Sequence, residues 1–285
     1  MVDERNDWTL ERNDRRIVFA SGADATVFAE STAFRVTRHA LPVWKVVLPI
    51  GGDVEVGGRG PAAAAPGVVV PPGFAHDCGT VSPYLAVFLD PWHLAPDTRT
   101  RLLDRRVVRR LLAALGDIGE HGPEGILDLA AVRAELEAVA GVGSAPDPRV
   151  RHALRAASRP GAGGNLRSVA AEVGVSAPRL RALAREGAGV PLVRLRRWAR
   201  LRSAVAALPG RSIAEAAAEA GFADQAHFAR TARGMLGRAP SSVLAGAGLA
   251  RANAGIDLSD PPACSAEHRC ERIPGFGFPI IEDWS

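Results

Sequence analysis

Over the first ninety positions the apolar residues come in short runs separated by Gly and Pro. Residues 17–20, 44–48, 68–70 and 85–89 are such runs, each the length of a buried strand. Residues 53–56 alternate polar and apolar between glycines, as a half-buried strand between turns does. Short strands this closely spaced predict a sandwich or barrel over residues 1–96. The period then changes. Leu102, Val107, Val108, Leu111, Leu112 and Leu115 fall on one wide helical face of residues 98–115, with Arg101, Arg105, Arg106, Arg109 and Arg110 over much of the rest. Residues 126–140 repeat the arrangement with Leu129, Val132, Leu136 and Val139. Residues 97–146 therefore read as a helical linker, whose apolar faces either pack on the strands or form a dimer seam. Its end, 141–146, has a linker composition.

From residue 147 the helices shorten and a pattern appears twice. Asp147-Pro148 is a helix start, and the helix runs to about Ser158. Residues 160–164 break it. Residues 165–173 then form a short amphipathic helix, Gly174 sits at a turn, and Ser176 is placed to cap a next helix bearing Arg179, Arg181 and Arg185. About 46 residues later Ser212 to Ala220 gives another helix, Gly221-Phe222 another turn, and Asp224 another cap before Gln225, His227, Phe228, Arg230 and Arg233. A continuous helical pattern from about Leu192 to Leu208 joins the two. A helix-turn-helix repeated within one domain is the most specific signal in the chain.

Charge sharpens this reading. The whole chain of 285 residues carries only +4. Residues 147–246 hold 17 arginines against 6 acids, or +11, which leaves −7 for the rest. Lys45 is the only lysine among 35 basic residues, a bias that a GC-rich genome produces, but coding bias acts along the whole chain and does not segregate charge. A basic block of this size attracts a polyanion, and beside two helix-turn-helix units that polyanion is double-stranded DNA.

Residues 147–246 resemble the DNA-binding domain of the AraC/XylS family of bacterial transcription regulators. The resemblance rests on Ile213, Ala217, Gly221-Phe222, Asp224, Phe228-Ala229-Arg230 and Gly237-Arg238-Ala239-Pro240 in the second unit, and on Arg200, Leu201, Ala204 and Leu208 in the connecting helix. The first unit departs from the pattern. Ala182 and Ala184 stand where the family usually has Arg and Phe, and in the second unit Ala232 replaces a common Phe. Residues 66–76, with the turn Pro71-Pro72-Gly73 before His76, resemble the second motif of cupin-type sensor domains, which fits an upstream sensor in the family arrangement. What the resemblance implies is an α+β multidomain chain. A cupin-like β-barrel (1–96) and the helical segment (97–146) precede an all-α double helix-turn-helix domain (147–246) and a C-terminal tail (247–285), for which disorder is the expectation.

Candidate base contacts are Arg179 and Arg181 in the first recognition helix, and Gln225, His227 and Arg230 in the second. Arginine offers a fork to guanine, and glutamine pairs with adenine. Arg185 and Arg233, further along, are phosphate candidates, as are Arg194, Arg196 and Arg197 on the connecting helix; Arg200 is expected to be structural. The expected partners are DNA, a small-molecule effector whose contact residues the sequence does not choose, a second copy of the chain, and RNA polymerase for an activator.

The sequence contains no HxH, HExxH, GxSxG, P-loop or GxGxxG. His76 is therefore expected to be a turn histidine, and no catalytic residue, cofactor or metal is expected. The alternative is a metallo-cupin enzyme with an accessory basic domain. In the tail, Cys264, His268 and Cys270 lack a fourth zinc ligand nearby and read as incidental. No run of about 18 apolar residues occurs, the first seven residues do not read as a signal peptide, and three cysteines are too few for a disulfide scaffold. A cytoplasmic protein is the expectation.

Overall fold

A computed structural model describes residues 7–12, 14–22, 25–58, 60–144, 146–158 and 166–244. The strands foreseen from the apolar runs are present. β1 (Trp8–Arg12), β2 (Arg15–Ser21), β3 (Ala25–Glu30), β4 (Phe34–His39), β5 (Trp44–Pro49) and β6 (Val54–Gly57) follow one another closely. β7 (Ala63–Ala65), β8 (Gly67–Val70), β9 (His76–Thr80), β10 (Tyr84–Leu89) and β11 (Arg101–Leu103) complete the two main sheets. These are a seven-stranded sheet, β1-β2-β3-β10-β5-β8-β11, and a four-stranded sheet, β4-β9-β6-β7, paired antiparallel throughout. The strands thus form two sheets, not one closed barrel. Among them β6 has the alternating burial that its sequence predicts.

Residues 98–115 differ from the expectation of one helix. Arg101–Leu103 form β11, which pairs with β8 through Leu102 and Val68. The helix α1 starts at Arg105, because the Asp104 side chain accepts the Val107 N–H and caps it there. The sheet region therefore extends past residue 96. After α1 (Arg105–Leu115) come a small ribbon, β12 (Ile118–Gly119) and β13 (Gly122–Pro123), and then α2 (Leu129–Ala140). Leu111, Leu115, Val132 and Leu136 are fully buried in a core shared with Val27, Val46, Leu48, Leu85 and Val87 of the large sheet. The inward apolar faces of α1 and α2 are covered by the chain's own strands. The sheet ends in this packing for an elementary reason: each side chain of this size removed from water contributes about 1.5–3 kcal/mol.

The C-terminal helices are α3 (Pro148–Ser158), α4 (Leu166–Glu172), α5 (Ala177–Ala188), α6 (Leu192–Ala207), α7 (Ile213–Glu219), α8 (Gln225–Leu236) and α9 (Pro240–Leu244). They have two small cores. Leu154, Val169, Ala170, Leu180, Ala184, Leu192 and Leu195 fill the first, together with Trp92 from the loop after β10. Leu201, Ala204, Leu208, Ala216, Ala217, Phe222, Phe228 and Met235 fill the second, and it runs on without a break into the sheet interior at Val36, Val47, Ala86 and Phe88. The fold is therefore a sheet-rich N-terminal region followed by a helical C-terminal one, joined by a continuous apolar interface within the unit 1–249. The tail 250–285, with Cys264, His268 and Cys270, lies outside the described residues.

Polar contacts fix that interface. The Thr37 N–H and hydroxyl both donate to the Gly237 carbonyl, at 3.1 and 3.0 Å, and the Ala40 N–H donates to the Gly234 carbonyl at 3.2 Å. Gly237 ends α8 in the left-handed conformation, φ 73°. A Cβ there would meet the Thr37 carbonyl oxygen and come within 2.8 Å of His39 Nδ1. Two costs thus coincide: a positive φ that L side chains rarely adopt and a backbone collision. Gly237→Ala is expected to lower the unfolding free energy of the full chain, read by urea titration, by about 2 kcal/mol or more, beyond the ~1 kcal/mol of an unhindered left-handed glycine.

Candidate nucleic-acid interface

The two helix-turn-helix units share their local geometry. In the first, the Val175 N–H donates to the Ala170 carbonyl and the Gly174 N–H to the Ala171 carbonyl, with Gly174 at φ 70°. In the second, Phe222 pairs with Ala217 and Gly221 with Ala218, at φ 77°. Each turn needs its glycine because only that residue enters the left-handed region without a Cβ penalty. Ser176 caps α5 by accepting the Arg179 N–H, and Asp224 caps α8 by accepting the His227 N–H. The turns repeat at a spacing of 47 residues, one more than the sequence pattern suggests, and the cap of α8 comes one position later still. Ser212 and Glu215 make a reciprocal capping box at the start of α7.

The apolar side chains of both second helices turn inward. Leu180 and Ala184 are buried in α5, and Phe228, Ala232 and Met235 in α8. Ala184 and Ala232 thus occupy core positions where the family usually has larger residues. The outward faces carry the candidate contacts. Arg179, Arg181 and Arg185 are exposed on α5, and Gln225, Arg230 and Arg233 on α8. Arg179 is also held to Glu186 of its own helix at 3.2 Å, a solvated pair that DNA phosphate can displace. His227 is half-buried and set edge-on against Phe222, with ring centroids 5.3 Å apart. Arg197 is exposed on α6. Arg194 departs from expectation: its guanidinium donates to the Ala40 carbonyl at 2.9 Å and ties α6 to the sheet region. Its sequence signal, an arginine among arginines, could not reveal a partner 154 positions away.

Behind α8 lies a cleft open to solvent. Phe28, Phe34, Lys45, Tyr84 and Phe88 line it from the sheets, and Val205, Leu236 and Arg238 from the helical region. Beside it, Glu30 (3% exposed) receives ion pairs from Arg15 of β2 and from Arg238, the latter at 2.9 Å, and a hydrogen bond from the Tyr84 hydroxyl at 2.9 Å. Burial works against its charge, yet the two guanidiniums and the hydroxyl hold its carboxyl below the ordinary range. The Arg238 guanidinium also stacks over Phe28, 4.8 Å from the ring centroid.

One polar cluster has no counterpart in the sequence reading. Lys45 Nζ lies 3.1 Å from His39 Nε2, 3.4 Å from His76 Nε2 and 3.1 Å from Cys78 Sγ, and all four residues are buried. His76 is therefore an interior residue of β9, not a turn histidine. Its Nδ1–H donates to the Phe74 carbonyl, as that of His39 does to the Thr37 carbonyl. Burial first, then the Lys45 charge, lowers His39 to about 2 and His76 to about 3, so both rings are neutral and their Nε2 lone pairs face Nζ. Among the described residues no group of three His, Cys, Asp or Glu is placed to hold a metal ion; an ammonium stands at the centre of this cluster. The available signal was the alternation His76-x-Cys78, which puts both side chains on one face of a strand.

Comparison with known proteins agrees with this geometry. The family described as a helix-turn-helix domain matches residues 169–246. ToxT from Vibrio cholerae, solved bound to (E)-4-(8-methylnaphthalen-1-yl)but-3-enoic acid, superposes with a TM-score of 0.50 at 11% identity, over 78% of this chain and 98% of ToxT. The AraC-like transcriptional activator CuxR gives 0.33 at 15% identity, over 66% and 79%. An RmlC-like cupin from Shewanella frigidimarina gives 0.23 at 16%, over 28% and 83%. No curated protein matches the chain. At 11% identity the likeness to ToxT is one of fold. Among the described residues no helix is long and apolar enough to cross a membrane. The chain thus carries, after a sheet-rich region, a helix-turn-helix domain matched over residues 169–246.

Proposed function

We propose that this protein is a cytoplasmic, effector-controlled transcription regulator, not an enzyme, and that α5 and α8 read successive major-groove segments on one face of DNA. The observation that carries the reading is the pair of exposed Arg/Gln faces on two capped second helices, each backed by its own core. In such a pair the first turns of each helix meet base edges, and the segments read lie about 34 Å apart. Arg179, Arg181, Gln225 and Arg230 are the proposed base contacts. His227 joins them through whatever edge its packing on Phe222 leaves free. Arg185, Arg197 and Arg233 are the proposed phosphate contacts. Arg194 is not among them, because its guanidinium is bonded to the Ala40 carbonyl of the sheet region. The proposed domains are 1–96, 97–146, 147–246 and 247–285, the second contributing β11 to the sheet of the first.

The cleft is the proposed effector site. Whatever fills it touches both the strands and the residues flanking α8, so occupancy biases the placement of the second recognition helix. A ligand acts this way only through different affinity for two placements.

Binding tests the reading. The logarithm of affinity is expected to fall linearly with the logarithm of salt, with a slope near −0.9 per phosphate neutralised; a salt-independent interaction would contradict it. Arg230→Ala is expected to weaken the preferred site by about 1–3 kcal/mol and to relax preference at one base pair. An equal loss on every sequence would move Arg230 to the phosphates.

A further inference from the structure

We propose that Lys45 is a covalent ligand site, condensing with the carbonyl carbon of an apolar aldehyde or ketone held in the cleft. The bond itself stands on the local chemistry. Its regulatory consequence rests on the effector reading above.

Three observations converge. The chain uses arginine at every basic position but one. A guanidinium keeps its proton and does not condense with carbonyls, whereas an amine does. The single exception is placed where only an amine can do this: on β5, 5% exposed, with its side chain lining the apolar cleft beside Phe34, Tyr84 and Phe88. Finally, none of its three partners is a carboxylate. Buried ammonium groups are ordinarily paired with a carboxylate that fixes them in place. Here two neutral imidazoles and a cysteine sulfur hold Nζ at a defined point without such a pair.

The step balances without any co-reactant. One ammonium proton leaves Nζ and passes to the carbonyl oxygen, the freed lone pair forms the bond to the carbonyl carbon, and the oxygen departs as water carrying that proton and a second one from nitrogen. Charge is conserved, since an ammonium becomes an iminium. The remaining N–H still has an acceptor in His39 or His76, whose lone pairs already face it. The ligand's apolar body then lies against Val205 and Leu236 of the helical region.

The test uses the full chain and 3-phenylpropanal, trapped with borohydride and mapped by peptide mass spectrometry. Lys45 is the only ε-amine, so Met1 supplies the internal reference. Lys45 is expected to gain one phenylpropyl group roughly tenfold faster than the Met1 amine. Excess 3-phenylpropanol is expected to slow that labelling by occupying the cleft, and Lys45→Arg is expected to give no adduct at position 45. Labelling confined to Met1, or labelling of Lys45 that the alcohol does not slow, overturns the proposal. DNA affinity separates the two readings. Should the alcohol, 3-phenylpropionate and the aldehyde all shift it without an adduct, the cleft is an effector site and the covalent step is wrong. Stoichiometric adduct with unchanged DNA affinity leaves the bond standing and removes the effector role.

Discussion

Glu30→Gln is expected to cost about 3–5 kcal/mol of stability, the range for breaking a buried ion pair on one side. Glu30 is a buried carboxylate paired with two guanidiniums, those of Arg15 and Arg238. Its removal strands both guanidinium charges, while the one amide oxygen left must serve the Tyr84 hydroxyl in place of a carboxylate. Arg238 follows α8 directly, so the loss is expected to loosen the seat of the second recognition helix as well as the sheet. Chemical unfolding of the variant reads the first effect. A control separates charge from volume: replacing Glu30 by Leu and both arginines by Met is expected to recover most of the loss, because an apolar core of similar volume replaces buried ion pairs nearly neutrally. The pH dependence has a definite sign. A carboxyl depressed in the folded state adds stability that is fully present above its unfolded value of 4.5 and disappears as pH falls through its lower folded value. Acid unfolding of the wild type is therefore expected to steepen below 4.5, and Glu30→Gln is expected to flatten that limb.

The second large effect is expected at Phe228. Its side chain is fully buried in α8, with Phe222 at 5.1 Å between ring centroids. Phe228→Ala removes a ring from a small core and leaves a cavity, which costs about 3–5 kcal/mol. Ala216, Ala217, Ala220 and Ala232 belong to the same core, and an alanine has no side chain long enough to fill the space. The second unit is expected to lose sequence-selective binding at a temperature where the sheet region keeps its near-ultraviolet signal. A variant that unfolds as one transition, with selectivity intact up to it, would show that the ring is not what holds α8.

These two residues mark what the sequence makes legible and what it hides. Phe228 sits in a local pattern: cap, helical period and left-handed turn are all set within a dozen residues, so α7, α8 and their turn can be read directly. The same locality made β2, β5, β8 and β10 readable. The start of α1 is not legible locally, because Leu102 and Leu103 fit a helical face and a strand equally well. The choice lay in Asp104 as a cap and in β8 as a partner. Glu30, Arg15 and Arg238 belong to no local pattern. They meet because α8 docks on β4, across 208 positions between Glu30 and Arg238. His39, Lys45, His76 and Cys78 likewise stand on three strands, and only the pairing of β4 with β9 brings the two imidazoles together. Lysine scarcity was visible from the start, but its meaning depends on the cleft.

The base contacts remain the centre of the account, and selection of bound sites from random double-stranded DNA by the full chain at physiological salt tests them most directly. The predicted result is one asymmetric site with two blocks of preference about one helical turn, roughly 34 Å, apart, the block opposite α8 weakening in Arg230→Ala. Recovery of DNA without any enriched sequence, or of a single block that Arg230→Ala leaves untouched, would contradict it.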